Sequence, residues 1–555
     1  MIGLDGATLD LIKPWAAQGK LPFFSQLMQN SAYGTLESTI HPMTAQAWTS
    51  YMSGKNPGKH GIFDFTERKL YSYETLLVNS TFRHADSLWK ILSKAGKRVG
   101  SFNVPMTYPP EEVNGFMIAG KPCPGAKSNL TYPPELAQEL VEKFGPYQLL
   151  DFSPQSLTPK QCIDFIHRSV DSIVKMTKSL MKAYEWEFFN VAFMTTDQAQ
   201  HLLWHAMDPT HPLYTEEENQ KYGNALLEVY QHVDAAIQEL AGELDDDDLL
   251  MLMSDHGAGP TMKIIHLNAW LEENGYLTFL KKGQSSRLKN FVSSVLGDVR
   301  LLGRQYMPGW LKNEVERFSQ IRRKMDSFLI KSRIDWAHTK CYAGGTYGNI
   351  YINLKGREPL GTVEPGDDYE ALRDEIKHRL SLLQDPETGE NVVEAVYRRE
   401  ELYHGPWVHK APDLLVVYKD YKYFSRPMVQ VKKKWKVFEK SIEGGMPNRL
   451  WPRSFHRLNG IVFIHGKGIK NNIEIRNAKI IDLTPTILYL LDVPIPDDMD
   501  GKVLVDAIED TVLESRKIRF RKLEEGESQE KKESEFTPGE MKEVRERLKG
   551  LGYFD

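Results

Sequence analysis

Three short apolar runs that stop at acidic residues constrain this chain more than any other feature. Ile2–Leu4 stops at Asp5, Phe188–Met194 runs into Thr195–Asp197, and Leu249–Met253 runs into Ser254–Asp255. Each predicts a buried strand feeding a loop. Helical patterns lie between them, as at Pro159–Tyr184 and Thr215–Leu240. Strands alternating with helices predict an α/β fold with a mainly parallel central sheet covered by helices on both faces. Ligands of such sheets sit at the carboxyl ends of the strands, where all three runs deliver acidic residues.

The 555 residues suit a large α/β enzyme with insertions. Residues 1–280 read as the first part of a catalytic core and 336–504 as its second part. Between them, residues 281–335 carry 13 Lys/Arg against 5 Asp/Glu with Leu, Phe and Trp interleaved. This segment predicts a basic helical insertion or cap, either a plain solvated face or a surface for anions. Leu415–Tyr418 and Gly460–His465 predict two further strands, so the sheet is expected to resume after the insertion. Lys432–Lys440 reads as a surface loop or hairpin, and the apolar stretch Ile481–Leu491 as a core helix. Residues 505–555 form a charged linker, centred on Glu524–Glu535, and a helical tail. That tail could dock back or join two copies into a homo-oligomer.

The formal net charge of -5 offers no global attraction to a nucleic-acid polymer. Cys123, Cys162 and Cys341 are far apart and form neither a disulfide framework nor a thiolate zinc pattern. The start, MIGLDGATLD, lacks the basic and apolar regions of a signal peptide, and no apolar run reaches about 18 residues. A cytoplasmic protein without a membrane span is the expectation.

Five segments carry candidate chemistry. Asp5, beside Gly6, suits a metal ligand at a strand end, though alone it reads equally as a helix cap. Thr44 precedes the helical stretch Ala45–Met52. A helix N-terminus favours a phosphate and a developing alkoxide, although an N-cap threonine is the plainer reading. Gly54–Gly61 is a glycine-rich turn that does not match a P-loop. Asp197 and His201 are four apart, so a helix places them on one face, where two ligands can share an ion. His205 competes for this pairing but lies one turn farther from the strand end and reads as ordinary helix packing. Asp255 and His256 are adjacent where a strand stops, whereas Asp245–Asp248 at its other end reads as a turn. His456, unlike the others, comes just before a strand. Three Asp, three His and one hydroxyl, without Cys, suit catalytic zinc or manganese better than a structural zinc site.

In order, GLDG, PMTAQAW with SGKNPGKHGIFDF, TDQAQHLLWH, SDHGAGP and FHRLNGIVFIHGKGI resemble the alkaline phosphatase superfamily. The closest likeness is to its type I phosphodiesterase/nucleotide pyrophosphatase family, and Gly344–Gly361 and Asp482–Gly501 fit the same group. The resemblance implies two divalent ions, most often zinc. Asp197, His201 and His456 would hold one. Asp5, Asp255 and His256 would hold the other, with Thr44 as a further ligand and as nucleophile. Attack by Thr44 on phosphorus would form a phospho-threonine, which water would then hydrolyse. Nucleotide pyrophosphatases carry a phosphate-contacting Asn three residues after the nucleophile. Ala47 stands there in this chain, so the resemblance extends to the chemistry more than to a nucleotide. Thr44-Ala45-Gln46 does not supply the modifiable residue that sulfatases need.

The leading expectation is therefore a hydrolase of phosphodiester or pyrophosphate bonds acting on a small-molecule phosphate ester. Phosphomonoester hydrolysis, mutase chemistry and phospho-group transfer use the same constellation. A catalytically silent phosphate-ligand binding protein is the non-enzymatic alternative.

Overall fold

Strand Ile2–Leu4 lies inside a nine-stranded sheet of a computed structural model. That structure describes residues 1–125, 129–145, 157–280, 334–345, 347–426, 436–439, 442–443, 446–447, 452–522 and 534–550. Across the sheet the order is Ile473–Lys479, Ala32–Glu37, Asn459–His465, Leu250–Met253, Ile2–Leu4, Phe188–Phe193, Val99–Val104, Gly115–Ala119 and Thr131–Tyr132. Asn459–His465 runs antiparallel to both its neighbours, and Thr131–Tyr132 is an antiparallel edge. The other pairings are parallel.

The strand side chains alternate between two cores, as the period of two requires. Leu250, Leu252, Phe189, Val191, Ile461 and Phe463 enter one core, with helices Leu9–Ala17, Pro22–Asn30 and Ala225–Ala241 and most of Pro159–Ala183. Met251, Met253, Phe188, Ala192, Val462 and Ile464 enter the other, with helices Thr44–Ser53, Leu88–Lys94 and Leu483–Leu490. The sheet is therefore covered on both faces, which is why its central strands are nearly all apolar. Among the described residues, no helix is long and apolar enough to cross a membrane.

Three local expectations are corrected. Leu414–Tyr418 does not resume the central sheet. It belongs to a separate antiparallel sheet in the order Cys341–Gly344, Asn349–Ile352, Leu414–Tyr418, Val393–Arg398, which has its own core with helix Asp367–Ser381. An apolar run announces a strand but not its partner. Thr215–Leu240 is two helices, Glu216–Tyr222 and Ala225–Ala241, interrupted at the poor helix formers Gly223 and Asn224. Gly54–Gly61 contains a helical turn, Pro57–His60, started by the Asn56 side chain accepting from Gly58 N at 2.9 Å.

Of the predicted insertion, residues 281–333 lie outside the described residues, as do 432–435 and 440 of the lysine-rich loop and 523–533 of the linker. The described part of the tail, helix Pro538–Gly550, docks on its own chain, burying Val544 and Leu548. Arg547 Nη1 donates to Cys123 O and Pro124 O at 3.0 and 2.9 Å, and the rings of Phe536 and Tyr108 stack at 5.8 Å.

Candidate active site

The sheet brings the predicted residues to one edge. Asp5 follows Ile2–Leu4, Asp197 lies in the first turn of helix Thr195–Met207 just after Phe188–Phe193, and Asp255 follows Leu250–Met253. Those three strands are parallel, so their carboxyl ends coincide. His456 precedes its strand for the complementary reason. Asn459–His465 runs the opposite way, so its beginning lies at the same edge. His456 itself sits in a short strand, Ser454–Arg457, opposite Ala258 of Gly257–Pro260.

Local bonds fix these pieces to one another. Asp5 N donates to Phe193 O at 2.9 Å, Thr196 Oγ1 donates to Asp5 O at 2.6 Å, and Gly6 N donates to Asp255 Oδ1 at 3.2 Å. Gly6 has φ +70, and a Cβ there would stand 3.0 Å from Asp197 Oδ1. Only glycine lets the chain turn that close to the carboxylates.

Helix Thr44–Ser53 is buried at all ten positions. Two of its hydroxyls are satisfied inside the helix: Thr49 Oγ1 donates to Ala45 O and Ser53 Oγ to Thr49 O. Gly54, left-handed at φ 66, ends it. Thr44 opens it, with Oγ1 3.3 Å from His256 Nε2. The positive end of the helix dipole therefore faces the site.

The three histidines share one hydrogen-bonding logic. Nδ1 of His201, His256 and His456 faces the backbone carbonyls of Ser454, Gly257 and Pro42 at 2.9, 2.9 and 2.8 Å. A carbonyl only accepts, so each Nδ1 carries a proton and Nε2 is the nitrogen left for a positive charge; at His201, against burial, Asp197 and the Ser454 carbonyl raise the ring above its usual range, so its Nε2 draws such a charge. Those nitrogens converge on carboxylates. His201 Nε2 is 3.3 Å from His456 Nε2 and 3.2 Å from Asp197 Oδ1. His256 Nε2 is 3.3 Å from Asp255 Oδ2 and 3.7 Å from Asp5 Oδ1. Lone pairs facing lone pairs in a buried site call for cations between them.

The carboxylates say the same. Asp5 Oδ1, Asp197 Oδ1 and Asp255 Oδ2 are buried and lack a well-aligned hydrogen-bond donor. Burial, followed by repulsion from Asp255 and Asp197, pushes Asp5 well above the usual carboxylate range. Asp255 is raised to about 6, mainly by burial, with His256 opposing and Asp197 adding. Asp197 is also penalised by burial, but His201 and then His456 and His256 hold it below the ordinary range. Two groups can each converge on one cation: Asp197, His201 and His456, and Asp5, Asp197 and His256. The donor set, carboxylate oxygen and imidazole Nε2 with no thiolate, fits divalent ions of the zinc or manganese kind.

His205 is not part of this group; it packs against His211, and its Nε2 faces Glu218 at 3.8 Å. Asp245–Asp248 closes a turn at the far end of its strand, with Asp248 N donating to Asp245 O. Several residues around the site escaped the sequence reading. Trp48 Nε1 donates to Asp5 Oδ2 at 2.9 Å. Tyr347 Oη donates to Pro42 O at 2.8 Å, lies 2.9 Å from His456 Nδ1, and stacks on His41 at 4.7 Å. Lys121, buried just after strand Gly115–Ala119, acts electrostatically on Asp5. Position in the helix after Thr44 was a signal for Trp48, and Tyr347 lies within Gly344–Gly361, though nothing there gave it a role.

Among solved structures, phosphonoacetate hydrolase from Sinorhizobium meliloti 1021 shares the fold. Its complex with phosphonoformate matches at a TM-score of 0.51 and 12% identity, covering 89% of this chain and 94% of that one. Its complex with phosphonoacetate matches at 0.50, with the same identity and coverage. Human ectonucleotide pyrophosphatase/phosphodiesterase 5 matches at 0.48 and 13% identity over 91% of this chain and 96% of that one. No curated protein matches the sequence. The protein is a phosphoric ester hydrolase. The chain belongs to the type I phosphodiesterase/nucleotide pyrophosphatase family, whose model matches residues 1–440. The family is metal-dependent.

Proposed function

We propose that this protein cleaves phosphodiester or pyrophosphate bonds of a small-molecule substrate through a phospho-threonine at Thr44, beside two divalent ions of which zinc is the first candidate. The observation that carries this reading is Thr44 Oγ1 at a helix N-terminus, 3.3 Å from a histidine nitrogen that also faces two carboxylates. Asp197, His201 and His456 would hold one ion. Asp5, Asp255 and His256 would hold the other, with Thr44 at its edge. When bound, the ions supply positive charge that favours the ionised hydroxyl and offsets charge on the leaving oxygen.

Thr44 Oγ1 forms a bond to phosphorus as the bond from phosphorus to the leaving oxygen breaks, and the leaving oxygen takes up a proton. Water then attacks phosphorus, breaks the Oγ1–phosphorus bond and restores the hydroxyl. The start of helix Thr44–Ser53 directs backbone N–H groups and a positive dipole end at the transferred group. The carbonyls of Ser454, Gly257 and Pro42 hold the three imidazoles in the tautomer that ligation needs.

The test is a panel of nitrophenyl phosphate mono- and diesters with added Zn²⁺ or Mn²⁺, comparing the native protein with Thr44→Ala. Metal-dependent diester turnover that falls at least about a thousandfold in Thr44→Ala supports the reading. Faster turnover of monoesters contradicts the diester preference, and an unaffected Thr44→Ala contradicts the nucleophile.

A further inference from the structure

The turn between strands Cys341–Gly344 and Asn349–Ile352 belongs to the separate antiparallel sheet, yet its Tyr347 is buried in the core of the central one. Two glycines shape that turn. Gly345 and Gly348 are left-handed, at φ +72 and +75, and a Cβ on Gly348 would stand 2.2 Å from Ser425 Oγ. The separate sheet thereby delivers one side chain to the group around Thr44.

Tyr347 Oη, Pro42 O and His456 Nδ1 form a closed triangle. Oη is 2.8 Å from Pro42 O and 2.9 Å from His456 Nδ1, and Nδ1 is 2.8 Å from the same carbonyl. The carbonyl only accepts, so the Nδ1–H of His456 lies between two oxygens. The phenol accepts from it and gives its own proton to Pro42 O, so every hydrogen in the triangle has an acceptor. Held by the carbonyl alone, the imidazole would pivot about one bond. The second acceptor fixes the ring and with it the direction of Nε2, which faces Asp197 Oδ1 at 3.7 Å and His201 Nε2 at 3.3 Å. The same hydroxyl reaches the approach to the nucleophile. Pro42 stands two residues before Thr44, and Met43 N donates to His41 O at 2.8 Å in the turn that enters helix Thr44–Ser53. Tyr347 bonds to Pro42 and lies flat on the His41 ring, with 7° between the planes. Its other neighbour, Phe455 at 4.9 Å, stacks on His456.

We propose that Tyr347 is a positioning residue whose hydroxyl sets two alignments at once: His456 Nε2 toward an ion, and the entry of the chain into Thr44. This rests on the phosphoryl-transfer reading above. Without Oη, the Nδ1–H of His456 keeps a single acceptor, and the ligand and the nucleophile lose the tie they share. Through this turn the separate sheet helps to align the site.

The experiment compares the full native chain with Tyr347→Phe, which keeps the ring and its stacking. Zn²⁺ is titrated into the metal-free proteins by calorimetry, and turnover of a nitrophenyl phosphodiester is measured at saturating Zn²⁺. Binding of one Zn²⁺ equivalent should weaken about 10- to 100-fold while the other stays as in the native protein. At saturating Zn²⁺, kcat should fall about tenfold or more, with KM changed less than about twofold. In a His456→Ala background, Tyr347→Phe should weaken Zn²⁺ binding no further, because the imidazole it orients is gone. A tyrosine that only fills space would lower Tm in the absence of metal and leave the Zn²⁺ affinities and kcat unmoved. Native affinity at both equivalents would overturn the hold on His456, and a native kcat would overturn the hold on Thr44. Strictly additive losses in the double variant would overturn the route through His456. Undiminished turnover in Thr44→Ala would defeat the nucleophile alone, and the Zn²⁺ titration of Tyr347→Phe still decides the role toward His456.

Discussion

Trp48 Nε1 donates to Asp5 Oδ2 at 2.9 Å, and this bond ties the helix that starts at Thr44 to the strand that ends at Asp5. Both side chains are fully buried. The indole occupies one oxygen of the carboxylate and leaves Oδ1 turned toward His256, so it sets which oxygen a cation can reach. Trp48→Phe keeps most of the ring and removes the donor. Divalent-metal affinity should fall about 10- to 100-fold, with activity recovered at high metal concentration. Metal titration of the purified variant checks this, and unchanged affinity would contradict it.

Gly3 makes room for the same indole. A Cβ at Gly3 would lie 2.3 Å from Trp48 Cη2, closer than packed atoms allow. Gly3→Ala should destabilise the protein by about 1–3 kcal/mol. Phenylalanine lacks the second ring of the indole, so Trp48→Phe should relieve much of that penalty. Urea unfolding of both single variants and the double variant measures the coupling, and strictly additive effects would argue against a direct clash.

Acid should destabilise the fold partly through His60. Ile62 N donates to His60 Nδ1 at 3.2 Å, so His60 donates from Nε2 to Ser50 Oγ at 2.9 Å and is held neutral. Burial, with Arg83 adding, pushes it from 6.5 down to about 3. The unfolded chain takes up a proton at this residue as pH falls below 6.5, while the folded chain does not until about 3. Stability contributed by neutral His60 is therefore complete above 6.5 and is lost progressively between those values. The loss is on the order of 2 kcal/mol by about pH 5. Unfolding free energies of native protein and His60→Gln at about pH 7 and about pH 5 should show the smaller decline in the variant.

The C-terminal helix braces the loop that carries Lys121. Gly125 N donates to Glu543 Oε2 at 2.7 Å and Tyr108 Oη to Glu540 Oε1 at 2.7 Å, alongside the two Arg547 bonds. Arg547→Ala with Glu543→Ala should raise the rate of proteolytic cleavage within residues 103–125 several-fold without altering metal content. Unchanged cleavage would show that the loop is held by its own packing.

Much of this architecture was legible in the sequence because strand ends are marked by chemistry. Asp5, Asp197 and Asp255 each follow an apolar run, and three parallel neighbours must present such residues at one edge. His456 was legible as a residue before a strand, but its arrival at that edge depends on Asn459–His465 running antiparallel, which no local pattern encodes. The partners of Leu414–Tyr418 were hidden for the same reason: pairing is a property of the whole chain. Trp48 and Tyr347 lie within motifs that gave them no role of their own, and only the fold shows one bonded to Asp5 and the other placed against His456.

The central claim is that Thr44 carries the phosphoryl group between substrate and water. The most direct measurement is acid quenching of the metal-loaded enzyme during turnover of a radiolabelled phosphodiester, followed by peptide mapping. The account predicts label on the peptide containing Thr44, rising before the steady state and absent in Thr44→Ala. Product formation by the native enzyme with no labelled protein at any time before the steady state would contradict it and point to direct attack by water.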